Sequence, residues 1–204
     1  MTNEENKKDL IGTAGAKVKN DIIGCLRGIG EIETEIVNLV RHTVSNSLRT
    51  TQSLTGESLT ISKEIINGAL KGTEEVGTGL FITAKNVAKG IVMGVNDVGG
   101  DVINTASHTV KDSVKGASEI GADVGLVARN AVEGVVDAVR ETGGNVGEAV
   151  KVSVDSAVES AGSVGTGAVK AVKDMLVSVT EGLKEVAGAV LPKSRSTASR
   201  EDDA

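Results

Sequence analysis

Gly77, Gly99, Gly121, Gly143 and Gly165 follow one another at a constant interval of 22 residues, and Gly72, Gly94 and Gly116 form a second ladder with the same step. A chain with such a period is an array of one repeated unit, and the period restricts its fold more than any other feature. Cut in this phase, the sequence falls into ungapped blocks beginning at Lys7, Ile29, Thr51, Thr73, Val95, Ala117, Val139, Ala161 and Leu183. The fourth column reads Leu10, Ile32, Leu54, Val76, Val98, Ile120, Thr142, Val164, Val186, and the eighth reads Ala14, Ile36, Ser58, Leu80, Val102, Val124, Val146, Ala168, Val190. The sixteenth reads Ile22, Val44, Ile66, Ala88, Val110, Val132, Val154, Leu176. Polar columns keep step with them. The thirteenth is basic, with Lys63, Lys85, Arg129, Lys151 and Lys173, and the third is mainly acidic, from Asp9 and Glu31 to Asp97, Glu119, Glu141 and Glu185.

Each block halves into two 11-residue units whose apolar positions are spaced by three, four and four. Eleven residues make about three helical turns, a period of roughly 3.67, so one apolar stripe runs nearly straight along a helix. Val, Thr and Gly favour strands and turns, and Val150-Lys-Val-Ser-Val154 alternates like a strand. That alternation is local, whereas the helical spacing persists through the array. The expected fold class is therefore all-α: a long amphipathic helix over residues 7–191, between a polar segment 1–6 and a disordered polar tail 192–204 that begins at Pro192. Unbroken, such a helix would be about 280 Å long at 1.5 Å per residue. Gly99-Gly100 and Gly143-Gly144 are the places where it can kink or fold back. A glycine inside a helix costs about 1 kcal/mol relative to alanine. With 26 glycines the free chain is expected to be largely disordered until something covers the stripe.

Composition narrows the partners. One Phe and no Tyr or Trp argue for shallow burial along an extended surface. The net charge of −6 is unevenly spread: residues 7–28 carry Lys7, Lys8, Lys17, Lys19 and Arg27 against Asp9 and Asp21, whereas Glu119, Asp123, Glu133 and Asp137 face Arg129 alone in the middle. Nucleic acid is a poor partner, because stacking aromatics and a sustained basic stripe are both missing. No stretch approaches the roughly 20 apolar residues of a membrane span. The polar start lacks the apolar run of a signal peptide. An intracellular, cytoplasmic protein is expected, with room for peripheral attachment to a membrane, droplet or granule.

Chemistry has little foothold. His42 and His108 share one column, so on a continuous helix they would stand about 100 Å apart and could not share a metal. Cys25, the one cysteine, falls in an apolar column and reads as a small buried hydrophobe. Gly12-Thr-Ala-Gly-Ala-Lys17 lacks the glycine-lysine-hydroxyl order of a phosphate loop. No catalytic, cofactor or metal site is assigned, and no enzyme activity is expected. The basic column flanks the apolar stripe, where lipid headgroup contact is expected for Lys63, Lys85, Arg129, Lys151 and Lys173.

Val87-Ala-Lys-Gly-Ile-Val-Met-Gly94 and Ala131-Val-Glu-Gly-Val-Val-Asp-Ala138 resemble the 11-residue units of synucleins and of perilipin-type lipid-droplet coats, and the period is similar to that of late-embryogenesis-abundant proteins. The resemblance covers most of the chain in pattern and composition. It implies a chain disordered in water that becomes helical on a lipid surface, or a protectant that folds on drying. The expected function is a non-catalytic coat on a lipid, droplet or granule surface; the alternatives are self-association into a bundle, right-handed coiled coil or filament, and stress protection. Replacing Val102, Val124 and Val146 together with Ser should abolish helix formation on oil droplets, followed by circular dichroism; unchanged droplet binding would remove the stripe as the contact face.

Overall fold

The computed structural model describes residues 30–49, 54–76 and 79–190. Leu10, Ile22, Cys25, segment 1–6 and tail 192–204 lie outside the described residues, and Leu54, Val76, Val186 and Val190 are described only as helical backbone. Among the described residues every regular element is an α-helix, so the fold is all-α. Helix α1 spans 30–49, α2 Leu54–Val76, α3 Leu80–Asn96, α4 Val102–Glu119, α5 Val124–Glu141, α6 Val146–Val164 and α7 Thr166–Val190.

The long helix is folded back at both glycine pairs, Gly99-Gly100 and Gly143-Gly144, and at further points between them and beyond, so an unbroken helix is corrected to a series of short ones. At the end of α4, Gly121 takes φ 69°, a left-handed conformation that glycine adopts without a Cβ penalty. Its N–H donates to the Ser118 carbonyl, and the Ala122 N–H donates to the Ala117 carbonyl. These two bonds form a Schellman cap, which satisfies carbonyls that the helix end leaves open. Two residues after the glycine, the Asp123 carboxylate accepts from the Leu126 N–H at 3.0 Å and caps the start of α5. The same device recurs with Gly99 and Asp101, and with Gly143 and Asn145. At these three turns one repeat is one helix plus one turn, whereas between α6 and α7 Gly165 alone, at φ 146°, makes the break. Because these turns have one length, they preserve the phase that a continuous helix would also preserve.

The turn glycines sit where glycine is the favoured residue, so they add nothing to the helical penalty. The expected disorder of the free chain is not what the structure displays. Instead each stripe is covered by other helices of the same chain. Every helix from α2 to α7 packs on its neighbour and on its next neighbour in sequence, and on nothing further away. This divides the array into two layers, α1, α3, α5 and α7 in one and α2, α4 and α6 in the other.

Within a layer the helices run parallel. Gly90 of α3 lies against Val40 of α1 and Gly94 lies against Val44, so both chains advance together. A Cβ at Gly94 would come within 2.7 Å of the Arg41 carbonyl oxygen, and one at Gly134 would overlap the Lys85 carbonyl. Small residues at this spacing let two helical backbones approach closely, which gains dispersion contacts along their length. In the other layer Ser107 of α4 meets Ser156 of α6 at 2.8 Å, and the Ser160 hydroxyl donates to the Lys111 carbonyl at 3.0 Å.

Two main apolar clusters lie between the layers. Val44, Leu48, Ile66, Leu70, Ile91 and Val95 join α1, α2 and α3. Val92, Val110, Val114, Val132, Val135, Ala157 and Val172 join α3 through α7. Valine and alanine predominate, so the core is thin.

Two alanine substitutions test the layer contact by opposite signs. Gly68→Ala, in a helix interior with open space around the glycine, should stabilise the protein by roughly 0.5–1 kcal/mol. Gly134→Ala, at the same repeat position but against the Lys85 backbone, should destabilise it by about 1–3 kcal/mol. Urea midpoints of the two variants against the parent measure both effects.

Candidate functional site

The apolar columns are largely consumed by the fold. Val44, Ile66, Val110, Val132 and Leu176 are buried. Ile36, Leu80, Val98 and Ile120 pack at the edge of the first cluster, and Val102, Val124, Val146 and Val154 at the edge of the second. Of the described stripe residues only Ile32 and Val164 are exposed, Ile32 to 58%. Leu39, one residue outside the stripe columns and 69% exposed, lies seven residues beyond Ile32 and therefore on the same side of α1.

The basic column has divided roles. Lys85 pairs with Asp137 of α5 at 3.0 Å, and Arg129 pairs with Glu133 one turn along its own helix at 2.8 Å. Lys63, Lys151 and Lys173 are exposed to solvent. Arg41, of the same column, makes a two-pronged contact with Asp97, through Nε to Oδ2 at 2.5 Å and Nη2 to Oδ1 at 2.6 Å. Lys89 reaches Glu141 at 2.5 Å, and Lys111 reaches Glu159 at 2.7 Å. The acidic third column thus supplies Asp97 and Glu141 as latches between next-neighbour helices. Linear spacing cannot reveal this, because partners about fifty residues apart meet only after the turns are made.

His42 lies on α1 and His108 on α4, so the 100 Å separation on one helix does not apply. Among the described residues no three His, Cys, Asp or Glu side chains gather to hold a metal ion. No described helix is long and apolar enough to cross a membrane.

One concavity stands out by its lining. A cleft of about 300 Å³ lies between α1 and α3, walled by Glu33, Thr34, Asn38 and Arg41 from α1, Lys89 from α3 and Glu141 from the end of α5. Val37 and Met93 give it an apolar contribution, and Asn86 of α3 lines it as well. Asn86 is only 4% exposed, and its side-chain nitrogen has no hydrogen-bond partner. The asparagine two repeats later behaves differently, since Asn130 donates to the Leu126 carbonyl of its own helix at 2.7 Å. Asn86 belongs to the same polar column as the two histidines, and that column was the available signal for it.

Comparison with known protein families, with curated proteins and with solved structures finds no match. The assignment of function therefore rests on geometry and charge.

Electrostatics mark the same end of the array. Hydrogen bonding from Arg41 holds the Asp97 carboxyl below the usual carboxylate range; partial burial opposes this, and the charges of Arg41, His42 and Arg49 add to it. Asp112 of α4 is shifted the other way, pushed up by burial against the pull of His108, Lys115 and Lys63. The two groups have opposite linkage. The stability from Asp97 is complete above the ordinary aspartate pKa and is lost as pH falls through its lowered value. That from Asp112 is greatest below the ordinary pKa and is lost as pH rises through its raised one. Asp97→Asn should cost up to about 1 kcal/mol near neutral pH, a figure that allows for solvent screening of a partly exposed pair, and the difference from the parent should vanish in strong acid. Urea denaturation at both pH values checks this.

Proposed function

We propose that this chain is a non-catalytic helical scaffold that works by self-association of its stacked layers. The observation that carries the reading is the contact pattern: helices touch only their first and second neighbours, so no described contact joins one end of the stack to the other. Arrays of this kind are additive, and their terminal units determine whether they stop or extend. At the α1 end, Ile32 and Leu39 put apolar surface into solvent, while the Arg41–Asp97 and Lys89–Glu141 pairs stiffen the helices behind them. A head-to-tail contact between unlike ends would continue the stack, whereas a contact between like ends would close a dimer.

A second reading, the coat on a lipid, droplet or granule surface, is favoured by the thin core of valine and alanine. A layer with little buried area per helix can open at modest cost, and its stripes would then turn outward onto an apolar surface. The exposed Lys63, Lys151 and Lys173 would meet headgroups in that state.

Light scattering on a size-exclusion column, with circular dichroism in buffer and with oil droplets, separates the two. The scaffold is expected to be helical in plain buffer, with a particle mass above that of one chain that falls on Leu39→Glu substitution. Helix that appears only with droplets would replace the scaffold by the coat. A helical monomer indifferent to droplets and to Leu39→Glu would remove both.

A further inference from the structure

Each helix inside the array receives the helix two places earlier at one set of repeat positions and meets the helix two places later at another. On the receiving side Gly90 and Gly94 lie against α1, Gly134 against α3, and Ser156 and Ser160 against α4, and all five are buried. Among the described residues no helix stands two places before α1 or α2. Gly68 and Gly72 of α2, at the repeat positions of Gly90 and Gly94, are accordingly exposed, with nothing within 4 Å of an added Cβ. Leu39 of α1 is open in the same way. It is 69% exposed, whereas Thr105, Val127 and Ala149, at its repeat position on α4, α5 and α6, are exposed to 1%, 0% and 0%.

The other end of the array is the counterpart, because among the described residues no helix stands two places after α6 or α7. Val150 of α6 is half-buried, whereas Val40, Ala84, Ala106 and Ala128 at its repeat position are buried. In α7 the equivalent Val172 is buried in the core, and Lys173 beside it is exposed. We infer that self-association, the reading on which this rests, runs head to tail: the α6–α7 edge of one copy covers the α1–α2 end of the next, as α3 and α4 cover α5 and α6 within the chain. Two internal contacts give the junction its pattern. Val127 of α5 clusters with Ala84 of α3, and Leu39 and Val150 hold those two repeat positions, so Leu39 of the next copy packs on Val150. A Cβ on Gly134 of α5 would overlap the Lys85 carbonyl of α3, and Gly68 and Lys173 hold those two positions, so the α7 backbone settles into the glycine notch of the next copy's α2. Seven helices are an odd number, so the layer that ends with α7 continues into the layer that begins with α2. Like ends do not fit in this manner, since they would set notch against notch. A contact between unlike ends leaves one of each kind free on the pair, and the stack goes on growing.

Light scattering on a size-exclusion column tests the junction with full-length Leu39→Glu, full-length Val150→Glu and their equimolar mixture. The parent is expected above the mass of one chain, and each variant alone at one chain. The mixture is expected at two chains, because the intact tail of Leu39→Glu meets the intact head of Val150→Glu and the remaining ends are blocked. Val150→Glu at the parent mass, or a mixture that stays at one chain while the parent associates, would overturn the junction and leave self-association standing. A parent at one chain would remove both. Gly68→Leu keeps the test decisive should Val150→Glu lose its helical dichroism: it should fall to one chain, while its urea midpoint at low concentration is not lowered, because the glycine stands in open space within a helix. Gly68→Leu at the parent mass would overturn the junction, and a lowered midpoint with that mass would mean that the notch is filled from within the same chain.

Discussion

An amphipathic helix of 18 residues, such as α4 or α5, cannot cover its own stripe, and in water a helix of that length rich in valine and glycine is marginal. Everything else in this molecule depends on bringing further helices against it. The short turn does this: at Gly99, Gly121 and Gly143 a left-handed glycine stops one helix, and two residues later an Asp or Asn side chain starts the next. With the connection so short, successive helices lie against each other, and the following one returns to the layer of the first. Helix termination and tertiary packing are consequently one event here, and disruption of a cap is disruption of a layer contact.

The layers are held by fit more than by bulk. Gly90, Gly94 and Gly134 remove the side chain where the backbone of the next helix passes, and that nearness partly replaces the area that large side chains would bury. The cost appears as polar groups inside. The Ser62 and Ser113 hydroxyls donate to carbonyls one turn back in their own helices, at 2.6 and 2.8 Å. That local bond lets a hydroxyl sit in a thin core without a partner from another element. The Thr109 and Ser153 hydroxyls are buried without one. A core assembled this way has modest stability per helix, and the latches Arg41–Asp97, Lys85–Asp137 and Lys89–Glu141 add alignment between next neighbours more than they add energy.

The helical class and the apolar face were legible in the sequence because both are properties of one period, read along one chain. Val44, Val110 and Val132 fall where the spacing of three, four and four puts them, on the side that becomes covered. Continuity was misread for a physical reason: a turn that completes the same 22-residue period leaves no gap in any column. The glycine pairs Gly99-Gly100 and Gly143-Gly144 already mark two of the turns, and the signal that extends them to Gly121 is chemical. Gly99, Gly121 and Gly143 are each followed two positions later by Asp101, Asp123 or Asn145, and a C-terminal glycine with an N-capping side chain just beyond it is the mark of a stop and a start. The cleft was less accessible. Glu33, Asn86 and Glu141 come from three helices, and no linear period brings them together.

Folding the stripe inward changes where function can lie. On an extended helix every repeat would present the same apolar face, and binding strength would grow with the number of repeats. In the layered array that face is spent on the neighbours, so what remains specific is what breaks the repetition. Ile32 and Leu39 break it at the α1 end by exposing apolar surface more fully than Val98 and Ile120, or Val127, do at the same repeat positions. Asn86 breaks it in the cleft by leaving its amide unpaired where Asn130 does not. In a chain whose columns are otherwise regular, such departures are costs that the repeat itself has no need to carry, and a binding partner that removes them gains the energy they hold back.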